Sequence, residues 1–291
     1  MVAGPGEASA GDGPDRPLDA RLEPTSGALR NRSRQAAILC YHSVTADGPP
    51  FLSITPEAFE RQLTMLRRRG YESGGLRELD ALAEGRGQGA SLAFLTFDDG
   101  YLDNFTQALP LLREHGFGAL VFILPPCVDE GAAFGWPEVA GQLAAHPGVM
   151  RSLDWTMVEA MADAGIEFGS HTLTHPHLPE LSDDELAHEL GESRARIRDR
   201  LGSCDSIAYP FGDWDARVAA AAAAAGYRLA FTMPRGAQEE ATPLSIPRVA
   251  VDQRDAGRRF LLKLTPPGRR VLLSPAKEQL RRLRRAPRAA R

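Results

Sequence analysis

Two carboxylates stand side by side where an apolar run ends, in Leu95-Thr96-Phe97-Asp98-Asp99-Gly100. The run reads as a buried strand, and Gly100 permits a sharp turn directly after it. In parallel α/β folds, active sites are built at the C-terminal ends of strands. Adjacent carboxylates there can divide the labour, one ligating a metal and the other taking a proton from the water it activates. By themselves the same residues would serve equally as a solvated Asp-Asp-Gly turn. The second group is Gly169-Ser170-His171-Thr172-Leu173-Thr174-His175, which sets two imidazoles at i and i+4 after another short strand. That spacing predicts both rings on one face of a helical turn. With Asp99 they would complete an Asp-His-His set that leaves a position open for water, as a catalytic metal requires. Such oxygen and nitrogen donors suit Zn²⁺, with Co²⁺, Ni²⁺ or Mn²⁺ able to substitute.

The elements that must hold these residues alternate along the chain. Ala36–Tyr41, Ser91–Phe97, Ala119–Leu124, Ile166–Gly169, Ile207–Tyr209, Arg228–Phe231 and Ser245–Val249 read as strands. Between them lie helical patterns. Thr55-Pro56 starts one that Gly70 stops, and a second ends near Gly116. Thr156-Met-Val-Glu159 and Ser182-Asp-Asp-Glu185 have capping-box form, and Ala216–Ala225 is alanine-rich. Residues 127–154 read as a long loop. Strands alternating with helices predict a parallel sheet with helical crossovers, and eight or so such units in about 215 residues fit a closed barrel better than an open sheet.

Composition sets the limits. The 291 residues are 43 % hydrophobic and 25 % charged, ordinary for a globular chain with a sizeable core. The net charge of −4 is unevenly spread: residues 252–291 hold 13 Lys/Arg against 3 Asp/Glu, so the remainder is acidic. An acidic body with a basic tail is not a nucleic-acid-binding profile. Cys40, Cys127 and Cys204 form no CxxC pair and read as small apolar residues. Residues 1–34, rich in Gly and Pro, are expected to be disordered, residues 35–255 to form one catalytic domain, and residues 256–291 a basic tail. No signal peptide or membrane span is seen, which predicts a cytoplasmic protein. The tail, with Arg258-Arg-Phe-Leu-Leu-Lys-Leu264 and Arg281-Arg-Leu-Arg-Arg285, offers contact with an anionic membrane surface, a solvated terminus being the alternative.

Thr-Phe-Asp-Asp-Gly followed some 70 residues later by His-Thr-x-x-His resembles the polysaccharide deacetylase (NodB-homology, carbohydrate esterase 4) family over roughly residues 36–250. The resemblance implies a distorted (β/α) barrel of about seven strands and a metal-dependent hydrolase that removes N-acetyl groups from sugars. It makes Asp98 the general base and Asp99, His171 and His175 the metal ligands. Two motifs depart from the family pattern. The usual Arg-x-Pro-Tyr is here Ser206-Ile-Ala-Tyr209-Pro210-Phe211-Gly212, without the Arg that orients the base. Tyr209, Pro210 and Phe211 are expected to form a substrate loop, with a backbone N–H such as that of Tyr209 holding the oxyanion. The family's late Leu-x-His is also missing, since no His follows His188. His42, in Leu39-Cys-Tyr-His42-Ser-Val44, resembles the permuted branch acting on poly-N-acetylglucosamine, where an early Tyr-His supplies the acid. Strand order in a closed barrel is cyclic, so a first strand can take the place of a last one. Trp136 and Trp155 flank the long loop, and Trp155 is expected to stack on a sugar ring. The remaining His residues (His115, His146, His177 and His188) read as structural. Two rival readings use the same residues: an amidohydrolase of a non-sugar amide, and a catalytically silent carbohydrate-binding relative.

Overall fold

Along Ala36–Tyr41 every side chain is buried, yet neighbouring residues go to different places. Ala36 and Ile38 join an inner cluster with Phe94, Phe122 and Phe231, whereas Ala37, Leu39 and Tyr41 pack into the larger core with the helices. Ser91–Phe97 divides in the same way, Phe94 inward and Ala93, Leu95 and Phe97 outward. Strands buried on both faces, with the period of two sorting them between two cores, are what a barrel wrapped in helices demands.

The computed structural model describes residues 36–84, 86, 91–234 and 241–265, together with Met1. The rest of the predicted disordered segment 1–34 and the tail beyond 265 lie outside the described residues. In chain order the strands are β1 (Ala36–Tyr41), β2 (Ser43–Val44), β3 (Ser53–Ile54), β4 (Tyr71–Ser73), β5 (Ser91–Phe97), β6 (Leu120–Ile123), β7 (Glu167–Ser170), β8 (Ser206–Ala208), β9 (Leu229–Thr232), β10 (Ile246–Pro247) and β11 (Val249–Ala250). The main sheet is parallel and runs β10-β9-β8-β7-β6-β5-β1-β11, with β4 beside the start of β5. Its two ends, β10 and β11, are one stretch of chain broken only at Arg248, so residues 246–250 close the ring between β9 and β1. Counting that stretch once gives seven staves, the predicted distorted (β/α) barrel. β2 and β3 form a separate parallel pair beyond the end of β1.

The helix starts follow local chemistry, with one correction. Thr55 accepts from the Ala58 N–H and opens Pro56–Arg68, and Ser182 with Glu185 forms the capping box of Asp183–Leu201. The helix expected to be capped by Thr156 begins two residues earlier, at Trp155, because Asp154 accepts from the Met157 N–H and takes the cap. Residues 127–154 are less irregular than expected. Helical turns at Pro125–Glu130 and Ala140–Ala145 bracket a small core of Tyr101, Leu124, Phe134, Trp136, Val139 and Met150. Prolines are welcome in the first helical turn, so Pro125-Pro126 ends a strand and begins a helix at once.

The body also continues past residue 255, where the sequence reading began the tail. Arg258–Leu264 is a helix whose Phe260 and Leu264 are buried in the larger core, while Lys263 pairs with the fully buried Asp255. Its apolar residues are thus mostly spent on the fold. No helix among the described residues is long and apolar enough to cross a membrane. Phe260→Ala is expected to cost about 3–5 kcal/mol of stability, as for a core aromatic, measurable by urea unfolding; a loss well under 1 kcal/mol would return this helix to the tail.

Candidate active site

The inward positions that give the barrel its inner core also deliver the reactive groups. On β1 the inward series Ala36, Ile38, Cys40 ends at His42; on β5 the series Phe94, Thr96 ends at Asp98. His42, Asp98, Asp99, His171 and His175 line one pocket of about 230 Å³ at the C-terminal mouth, with Phe51, Trp136 and Phe211 among its walls.

Asp98 is held by a residue that sequence reasoning did not find. Arg248, fully buried at the break between β10 and β11, lays its guanidinium over the rings of Phe122 and Phe231. It grips the carboxylate with both arms, Nη1 to Oδ1 at 2.6 Å and Nη2 to Oδ2 at 2.7 Å. This bidentate pair fills the role left open by the missing Arg of the third motif. The signal lay in Ser245-Ile-Pro-Arg-Val249, a short strand with a cation at its centre. Cys40 adds a thiol donor, Sγ to Oδ2 at 3.4 Å. Burial alone would raise the Asp98 pKa, but the adjoining Arg248 holds it well below the usual carboxylate range.

Asp99 sits in the opposite environment. Its backbone is left-handed at φ 69°, followed by Gly100 at 71°, where a Cβ would come within 2.8 Å of Ile123. The turn swings the carboxylate towards the two imidazoles, Oδ1 lying 3.4 Å from His171 Nε2 and 3.6 Å from His175 Nε2. Burial pushes the Asp99 carboxyl well up and neighbouring Asp98 adds to it. Arg248, already spent on Asp98, offsets only part.

The imidazoles do not share a helical turn, as their spacing predicted. Residues 171–177 are a loop, and left-handed backbone at Thr172 (φ 70°) and His175 (φ 61°) brings the rings together. Glu189, from the helix Asp183–Leu201, ties that loop down by accepting from the N–H groups of Leu173 and Thr174 and from the Thr174 hydroxyl. His171 donates its Nδ1–H to the Ala208 carbonyl at 2.8 Å, which leaves Nε2 with the lone pair. Trp136 stacks on His175 at 4.2 Å and steadies its ring. Burial keeps both rings neutral, lowering His175 to about 2. Asp99 Oδ1 is buried without a hydrogen-bond partner. Two buried imidazoles therefore converge on a buried carboxyl oxygen that has neither a hydrogen-bond partner nor a cation of its own. A divalent cation fits that donor set.

His42 joins this pocket, its ring and an Asp98 oxygen lying within 4.8 Å of each other, and burial lowers its pKa to about 4. The expected substrate loop is only partly at the site. Phe211 lines the pocket, but Tyr209 and Pro210 are buried and do not. Tyr209 spends its N–H on the Phe231 carbonyl and its hydroxyl on that of Leu244, so it is not free for an oxyanion. Trp155 is a correction too. It starts a helix, packs in the outer core and donates Nε1–H to Asp129, away from the pocket. Trp136 is the tryptophan at the site.

The chain belongs to the polysaccharide deacetylase family, whose sequence profile matches residues 85–230. Asp98, Asp99, His171 and His175 lie inside that match; His42 and Arg248 lie outside it. YxkH of Bacillus subtilis (strain 168), named as a polysaccharide deacetylase, is 26 % identical over 202 residues, which cover 69 % of this chain and 65 % of that protein. The chain thus spans a little under two-thirds of that relative's length. Among solved structures, the Streptococcus pyogenes deacetylase PplD in complex with acetate superposes with a TM-score of 0.65 at 23 % identity, covering 82 % of this chain and 98 % of that one. IcaB from Ammonifex degensii gives 0.63 at 22 %, covering 76 % and 93 %. Both share the fold.

Arg248→Met is expected to strand a buried carboxylate and to cost about 3–5 kcal/mol at neutral pH. The wild-type pair contributes fully above the unfolded carboxylate pKa of ~4 and loses its contribution as pH falls below it. In the variant, burial raises Asp98, which protonates first, so the gap should narrow on acidification. Urea unfolding at several pH values measures this; a gap that widens towards acid contradicts the assignment.

Proposed function

We propose that the protein is a metal-dependent hydrolase that removes N-acetyl groups from an acetylated amino sugar or glycan, releasing acetate and a free amine. The observation that carries this reading is the convergence of Asp99, His171 and His175 beside a separately neutralised Asp98 in one pocket. A divalent ion held by the three donors, Zn²⁺ by donor type with Co²⁺, Ni²⁺ or Mn²⁺ as substitutes, supplies Lewis acidity that polarises an amide carbonyl and brings the pKa of water from ~15.7 towards ~7.

The chain's own residues do the rest. Asp98 takes a proton from water as the water oxygen adds to the acetamide carbon. Phe211 lines the pocket, and its N–H has no hydrogen bond among those of the described residues. It takes the oxyanion role that Tyr209 cannot, a donor worth roughly 3–4 kcal/mol. Arg248 keeps Asp98 a weak base, so the proton does not stay there. His42, neutral at rest, passes it to the nitrogen as the C–N bond breaks. Uncoupled from this relay the amine is a poor leaving group, which is why an acid is worth about 10²–10⁴ in rate.

Chelator treatment is expected to abolish acetate release from N-acetylglucosamine oligomers, and Zn²⁺ or Co²⁺ to restore it. Full activity in metal-free protein sinks the reading, and activity confined to non-sugar amides favours the amidohydrolase alternative. Asp98→Asn should retain metal and lose turnover; release of the metal instead would reverse the two Asp roles. His42→Ala should keep metal and fold while losing about two to four powers of ten in turnover. That loss should shrink on an activated ester, whose leaving group needs no proton. An equal loss on both substrates would remove His42 from the acid role.

A further inference from the structure

Few large apolar side chains are exposed among the described residues: Met1, Phe51, Phe211 and Leu262. Two of them, Phe51 at 53 % and Phe211 at 38 %, line the pocket that holds the reactive groups. A phenyl ring left in water forgoes about 1.5–3 kcal/mol of burial, so a fold that exposes one firmly invites a ligand for it.

The backbone carrying each ring is held in place. Phe51 follows Pro49-Pro50 in a loop pinned at its base by the parallel pair Ser43↔Ser53 and Val44↔Ile54. The Leu52 and Ser53 N–H groups turn back to the Pro49 carbonyl at 3.0 and 2.9 Å, and the Leu52 carbonyl accepts from Ser43 at 3.1 Å. Asp103 then fixes the other limb, accepting from the Ser43 hydroxyl and the Val44 N–H. Across the mouth, Phe211 has a left-handed backbone at φ 58° and stacks on His177 at 4.0 Å, while Asp213 holds that imidazole at 2.7 Å. Strain of this kind persists only where the surroundings impose it.

Their positions follow from the topology. β1, which leads to Phe51, and β8, which leads to Phe211, are as far apart as seven staves allow. The two residues therefore come to one pocket on loops that leave well-separated staves, and that pocket also holds Asp99, His171, His175 and His42. Phe211 lies edge-on to His175, on the side of the donors. Phe51 sits on the loop that begins at His42, the side from which the departing nitrogen gains its proton. His42 and Phe51 line the same pocket, so a substrate whose nitrogen meets His42 comes within reach of Phe51.

We propose that Phe51 is the sugar-binding platform of the site, stacking on the apolar C–H face of the pyranose whose acetamido group is cleaved, with Phe211 as the facing wall. This rests on the deacetylase reading above and names the residue that makes the substrate a sugar ring. A face-on contact of this type is uniform binding, present before and during the reaction, so its loss raises KM more than it lowers kcat.

The experiment compares wild type, Phe51→Ala and Phe51→Trp with two probes: N-acetylglucosamine oligomers for KM and kcat, and fully deacetylated glucosamine oligomers for Kd by calorimetry. Phe51→Ala is expected to raise both KM and Kd by about 5–30-fold, the equivalent of one or two kcal/mol, while kcat falls much less. Phe51→Trp, with a larger aromatic face, should bring both back. Unchanged KM and Kd in Phe51→Ala, or a loss confined to kcat, overturns the platform and leaves the deacetylase reading intact. If wild type binds the glucosamine oligomers through Phe51 but releases no acetate, the platform stands and the deacetylase reading falls. If wild type neither binds nor hydrolyses, both fall.

Discussion

The ion pair between Arg248 and Asp98 is the constraint around which the site is arranged. Arg248 belongs to the stretch that closes the barrel, its N–H bonded to the Thr232 carbonyl on one side and Val251 bonded to Cys40 on the other. Its side chain crosses the interior above Phe122 and Phe231 before reaching Asp98. Closing the ring and ionising Asp98 are therefore one event. An isolated carboxylate in this interior would be driven to its neutral form by desolvation; the guanidinium that prevents this arrives only when the last stave is in place.

A second cost is borne by the backbone. The non-glycine residues with left-handed φ among those described are Asp99, Thr172, His175 and Phe211, and all four belong to the loops that shape the pocket. Such conformations cost of order 1–3 kcal/mol each, and each has a visible restraint. Asp99 is turned by Gly100 against Ile123, the His loop is tied to Glu189, and Phe211 is stacked on His177. Flexible loops would reach these positions only part of the time, and ligand atoms held within tenths of an ångström need better than that.

Much of this was legible in the chain. Continuous apolar runs of strand length and capping residues made the seven staves and most helix starts legible, because those signals are local. The Asp pair and His pair were legible because each occupies one loop after one strand. Arg248 was not, because its partner is 150 positions away and nothing near it in sequence announces an inward cation. The spacing of His171 and His175 brought the right residues together for the wrong reason, since loop strain and not helical periodicity converges the rings. Trp155 failed for a related cause: a tryptophan beside a loop looks like a groove residue, but as the first residue of a helix it turned into the outer core. Charge and exposure at a distance, as in Arg248 and Phe51, are properties of the assembled barrel.

Asp98 and Asp99 are chemically identical neighbours, and the fold separates their roles by surroundings alone. One carboxylate faces a guanidinium on both oxygens and is held ionised; the other faces two imidazoles, and burial pushes it towards its neutral form. The second is the carboxyl open to a cation, since a positive charge there would offset the burial that pushes it towards its neutral form, whereas at the first it would have to compete with Arg248. The same asymmetry makes Asp98 unable to retain a proton once it has taken one. The contrast between an ionised Asp98 and a neighbour pushed towards its neutral form thus follows from a single arginine, placed by the strand that completes the barrel.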